Sequence, residues 1–161
     1  MPIALGAVAA LLLAGCFSPT ENAIERAIEQ ETGQNADVDI RADGSMKVET
    51  ADGSMETGGD VPSDWPSDAP AYPGATVSFS AKKNPTDGSA GTALSLVTDD
   101  TTAEVVDFYT NALKNNGWAV QGTMNAGPTT IMAATKGTRN ISIMIAAAND
   151  KTSITIGIEG Q

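Results

Sequence analysis

Apolar and small or polar residues alternate through the C-terminal half of the chain, at Ile141, Ile143 and Ile145 and again at Ile154, Ile156 and Ile158. A period of two sends successive side chains to opposite faces, so these stretches predict half-buried strands over Arg139 to Ala147 and Thr152 to Ile158. The same reading places strands at Ala75 to Ala81, Thr92 to Thr98, Trp118 to Met124 and Thr129 to Lys136. Most of their connections are short enough to require antiparallel neighbours. Between the second and third of the six strands the period changes. Val105, Phe108, Tyr109, Ala112 and Leu113 form one helical face, opened by the capping box Thr101-Thr102-Ala103-Glu104. Gly117 supplies a left-handed stop, and Trp118 falls where it can cover Leu113.

The N-terminal half is patterned differently. Ser18, Pro19 and Glu21 form a helix-start signature, and Ala23, Ile24, Ala27 and Ile28 make a narrow apolar stripe among glutamates before Gly33. From Ala36 to Thr57 the motif Ala-Asp-Gly-Ser-Met occurs twice, at Ala42 and Ala51. Asp-Gly is a hairpin-turn signal, so this region reads as a small three-stranded meander. Pro62, Pro66, Pro70 and Pro73 then predict a stiff connector, in which Trp65 and Tyr72 are either a ligand-facing pair or, the favoured reading, apolar pegs pressing it onto the body. The expected architecture is α+β: an antiparallel sheet of about six strands in ββαββββ order with one helix packed on one face, preceded by an N-terminal helix and a small β-meander. The expected segments are 1–15 (leader), 16–35 (acidic helix), 36–58 (meander), 59–74 (connector) and 75–161 (α+β domain).

A length of 161 residues fits one such body, which buries roughly 70% of its unfolded surface. Aromatics are 4% of the chain, so the core falls to Val, Ile, Leu, Met and Ala. The net charge of −11 opposes nucleic-acid phosphates, and no nucleic-acid partner is expected. That charge is lopsided: Glu21 to Asp68 holds 13 acidic and 3 basic residues, whereas Ala69 to Gln161 holds 7 and 6. Histidine is absent, which removes the commonest general base and zinc ligand. The lone cysteine, Cys16, has no partner for an internal disulfide.

Ile3 to Leu13 is an uncharged apolar run of export-signal length, too short to span a bilayer. It leads into Leu13-Ala14-Gly15-Cys16, which resembles the lipobox of bacterial lipoproteins. The resemblance implies a diacylglycerol on the Cys16 sulfur, cleavage between Gly15 and Cys16, and acylation (palmitate-type) of the new amino group. Two or three acyl chains, at about 0.8 kcal/mol per buried methylene, hold a protein stably on a membrane. The competing reading is an ordinary buried helix with an inert cysteine. No Lys or Arg precedes the apolar run, so a short basic segment is expected upstream of Met1. Phe17, rather than Asp, follows the cysteine, and by the family's sorting rule this points to the outer membrane, facing periplasm or surface, provided the cell is Gram-negative.

Tyr72-Pro73-Gly74-Ala75, Phe108-Tyr109 and Gly117-Trp118 resemble small bacterial lipoproteins carrying a single C-terminal α+β domain, a likeness that implies a fold and no particular activity. The candidate chemistry is sparse. Asp99, Asp100, Glu104 and Asp107 could serve a carboxylate-dependent envelope hydrolase, but acidic groups at a helix start are explained by capping and the helix dipole. Carboxylates at Asp37, Asp39 and Asp43 invite a weak divalent-cation reading, yet Arg41, Ala42 and Val48 break the calcium-loop pattern. Lys82, Lys83, Lys136 and Arg139 read as solvated charges flanking turns, or otherwise as a rim for an anionic partner. The expectation is therefore a non-catalytic binding or accessory module of the cell envelope. Its membrane contact would run through lipid on Cys16, its partner would be an envelope protein or cell-wall component, and no cofactor or metal is expected.

Overall fold

A computed structural model of the chain describes residues 21–84 and 90–160. The leader, the lipobox and Cys16 lie outside the described residues. The elements run α1 (Glu21–Thr32), β1 (Ala36–Ile40), β2 (Met46–Thr50), β3 (Gly53–Thr57), β4 (Thr76–Lys83), β5 (Gly91–Thr98), α2 (Thr102–Asn115), β6 (Ala119–Ala126), β7 (Thr129–Lys136), β8 (Arg139–Ala148) and β9 (Lys151–Glu159).

The strands form one antiparallel sheet of nine, in the order β1-β2-β3-β4-β5-β9-β8-β7-β6. This corrects the expected α+β arrangement of a six-stranded sheet with a separate meander and one helix on one face. The two parts are one sheet because β3 pairs with β4, from Thr57 opposite Phe79 to Gly53 opposite Lys83. Alternation within a strand fixes which face each side chain takes but says nothing of which strand lies alongside. A methyl group on Gly53 would sit 2.0 Å from the Lys82 carbonyl oxygen, an approach only glycine allows. Among the described residues two helices pack on the sheet, on opposite faces.

On one face, α2 presents Val105, Tyr109 and Leu113 to Leu94, Leu96, Met132, Ile143, Ile154 and Ile156, all fully buried. Each fully buried Leu or Ile contributes roughly 1.5–3 kcal/mol of transfer free energy. The start of α2 is fixed as its sequence requires. The Thr101 hydroxyl accepts from the Glu104 amide at 3.4 Å, while Glu104 accepts from the Thr101 amide at 2.9 Å. Gly117 ends it at φ 79°, and the Trp118 amide closes onto the Leu113 carbonyl at 2.9 Å. On the opposite face, α1 covers only β1 and β2, where Ile28 meets Val38 and Val48.

The stretch between β3 and β4 is more than a spacer. It crosses the α2 face, and its Ala69 and Tyr72 belong to the main core while Trp65 packs against it. Phe108 stacks edge-on to both Tyr72 and Tyr109, each at 5.0 Å between ring centres, worth about 0.5–1.5 kcal/mol per pair. Burial pushes the Tyr109 phenol well above its ordinary range. Within β4 a bulge between Val77 and Phe79 shifts the alternation, which puts Val77 and Ser80 on the same inward face.

Candidate binding groove and the placement of the charged residues

The inward face changes character where α2 no longer covers it. Following the pairing outward from Leu94, the side chains on that face are Ser80 and Glu56, then Lys47; from Thr92 they are Lys82, Ser54 and Glu49. Cross-strand partners share a face, so a polar field replaces the apolar one within two strands. Pro62, Ser63 and Asp64 of the connector wall this field and enclose with it an open groove of about 520 Å³. Ser80 is buried at its floor.

The groove's charges come in pairs. Lys82 donates to Asp64 at 2.5 Å, and Lys47 lies 3.2 Å from Glu49. Arg41 bonds Glu56 at the margin. The Lys82 bond holds the Asp64 carboxyl below its ordinary value. Around these pairs stand the hydroxyls of Ser54 and Ser63, and those of Thr50 and Thr92 and the amide of Asn84, which donate to the carbonyls of Gly53, Ala81 and Ala51. Such a lining offers donors and acceptors with no aromatic platform, and half-exposed pairs of this kind exchange partners at little cost, about 0–1 kcal/mol each. It suits reversible hydrogen bonding to a polar ligand.

The carboxylates singled out by sequence all have structural occupations or lie apart. Asp99 pairs with Lys151 at 2.6 Å in solvent. Asp100 accepts the Tyr72 hydroxyl at 2.8 Å, and burial, helped by this bond, raises the Tyr72 phenol to about 12. Glu104 is the capping residue, held below its ordinary value by the Thr101 hydroxyl and amide. Asp107 is exposed on α2. The three aspartates of the calcium reading also diverge. Asp37 stands opposite Glu49, Asp39 lies 3.4 Å from Arg41, and Asp43 is consumed in its own turn, accepting the Ser45 amide at 2.9 Å and the Ser45 hydroxyl at 2.7 Å. Among the described residues no three potential metal ligands converge.

The cations Lys136 and Arg139, expected to be solvated, instead grip Asp68. Arg139 bonds both carboxylate oxygens, Lys136 donates at 2.6 Å and also reaches the Asn116 carbonyl at 2.8 Å. Arg139 lies 4.9 Å from the centre of the Trp118 ring, and the Trp118 indole donates to the Asp68 carbonyl at 2.8 Å. This clamp fastens the connector to the β7–β8 turn and the end of α2. Lys82, also expected to be solvated, is the groove's partner for Asp64.

Sequence reasoning did not mark the groove. Its signal lay in the polar half of the meander's alternation, Lys47 and Glu49 against Val48, Ser54 and Glu56 against Met55, which was legible as strand and not as lining. Among the described residues no helix is long and apolar enough to cross a membrane. No curated protein and no solved structure matches the chain. A START domain-like family model matches residues 78–156, from β4 to within β9, so the body of the sheet with α2 is similar to START domain-like proteins, whereas α1 and β1–β3 fall outside the matched stretch.

Proposed function

We propose that the chain is a lipid-tethered, non-enzymatic binding module of a bacterial envelope, anchored through Cys16 and facing the periplasm or surface from the outer membrane. The groove between Pro62–Asp64 and β2–β4 carries the binding reading, because it gathers hydroxyl, amide and exchangeable ion-paired groups in one open concavity. The likeness of residues 78–156 to START domain-like proteins supports a binding body. The lipobox-like Leu13-Ala14-Gly15-Cys16 supports the tether. The ligand it suits is a polar, amide- and charge-bearing envelope component, such as a cell-wall peptide or an extended protein segment.

A photo-crosslinking residue at Ser63, in the full chain expressed in its own cells, tests both parts. Mass spectrometry of the purified product is expected to find Cys16 acylated at a new N-terminus and a discrete envelope adduct at Ser63. The adduct is expected to fall at least tenfold when Lys82→Glu is added, since two like charges then face each other across the groove mouth. An unmodified Cys16 behind an intact leader would overturn the tether. Absence of any adduct, or one indifferent to Lys82→Glu, would overturn the groove.

A further inference from the structure

The two edges of the sheet are treated oppositely. On β1 the outward backbone amides of Val38 and Ile40 are occupied by α1, whose Glu25 and Glu21 carboxylates accept them at 3.2 and 2.9 Å. That edge is closed to another strand. On β6 seven of the eight residues are exposed, Val120 being the half-buried exception. Past the bulge between Val120 and Gly122, the stretch Gly122 to Ala126 runs in regular register against Thr129 to Ala133, so its outer side is an unbroken strand edge. No charged residue occurs anywhere between Trp118 and Lys136, and the charges with which edge strands ordinarily repel one another are missing.

The sheet face remote from α2 ends in apolar side chains at this edge. Met124 stands opposite Ile131, and Ile131 opposite Met144. Met124 is 60% and Met144 45% exposed, so the row is wet in the single copy. Gly122, on the same face two residues from Met124, leaves open space beside it.

We infer that β6 is the docking edge for a second copy of this chain, the two β6 strands pairing antiparallel about a two-fold axis so that the sheet runs on from one copy into the other. Such an axis keeps the same face of both copies on the same side. The rows Met144–Ile131–Met124 of the two copies then lie side by side on one face, offset by two residues, and each Met124 has room over the other's Gly122.

The charge distribution makes β6, and not the acidic β1 end, the edge at which two copies can meet. A chain of net charge −11 repels itself wherever its acid is concentrated, and that acid is densest in α1 and β1–β3, whereas Asp68 of the connector is neutralised by Lys136 and Arg139. With strands spaced about 4.8 Å apart, the β1 edge is about 38 Å along the sheet from β6. Pairing through β6 doubles the separation between the two acidic ends, many times the Debye length of about 8 Å. An uncharged edge meets an uncharged edge and the acid points away.

Cysteine placed singly at Gln121, Thr123 and Asn125 of the full chain, oxidised in native membranes, tests the pairing. At least one position is expected to yield a covalent species of twice the chain mass, well above wild type and above Thr155→Cys in the middle of the sheet. Adding Met124→Arg, at an exposed site the fold does not need, is expected to cut that yield about tenfold. Absence of the doubled species at all three positions, or an adduct with a protein of different mass, would sink the inference, as would a yield unmoved by Met124→Arg.

Discussion

Asp68 shows how one side chain can decide whether a proline-rich segment is a loose linker or part of the body. Its carboxylate is bound by Arg139 and Lys136 and is partly shielded, with 21% of the side chain exposed. The Arg139 hydrogen bond, with help from Lys136, holds it below the ordinary aspartate value of 3.8. A depressed carboxylate contributes stability above its unfolded value, and that contribution disappears as pH falls through the folded one. Asp68→Asn is therefore expected to cost roughly 1–3 kcal/mol at pH 7, because it leaves two cations without their charge partner. The same variant should lose less further stability than wild type when acidified below about pH 4. Urea unfolding followed by tryptophan fluorescence at both pH values measures this, and equal acid sensitivity in the two proteins would refute it. Sequence could not show the clamp, because Asp68 and Arg139 are 71 positions apart and each reads alone as a surface charge.

At the level of elements, local signals were legible and long-range ones were not. The capping box at Thr101 and Glu104, the stop at Gly117 and the alternation of β8 and β9 are written in neighbouring residues, and the chain folds accordingly. The join of β3 to β4 depends on two edges meeting across the connector, which no period within either strand reveals. The groove was hidden for the same reason, since its lining belongs to that join. Gly53 is the join's most constrained point. Gly53→Ala forces a contact with the Lys82 carbonyl that no side-chain rotation relieves, at a cost of about 1–3 kcal/mol. The core of α1, β1 and β2 is separate from the main one, so the cost should fall on that wing. Hydrogen exchange is expected to show amides of β1–β3 losing protection while β5, β8 and β9 keep theirs. Uniform loss across all nine strands would mean that the sheet unfolds as one unit.

For the molecule as a whole, charge and membrane contact pull in different directions. The acidic wing follows directly on the residues proposed to carry the tether, and an acidic surface is repelled by anionic headgroups. A form beginning at Phe17, which lacks both the apolar leader and the lipid, is therefore expected not to co-sediment with phosphatidylglycerol vesicles at low or physiological salt, whereas the lipidated form stays bound through both. Salt-sensitive binding of the cysteine-free form would show that the polypeptide itself has affinity for the headgroups.

The closing of the β1 edge by Glu21 and Glu25 has a mechanical corollary. Traction on the chain ahead of Glu21 meets the two carboxylate contacts one after the other, Glu21 before Glu25, in the manner of a zip rather than a bolt. The interlocked strands of the body share any load side by side and resist it together. Among the described residues the first give is thus expected at this seam, and peeling α1 away uncovers the amides of Val38 and Ile40, so that strain on the proposed anchor would turn a sealed border into a receptive one.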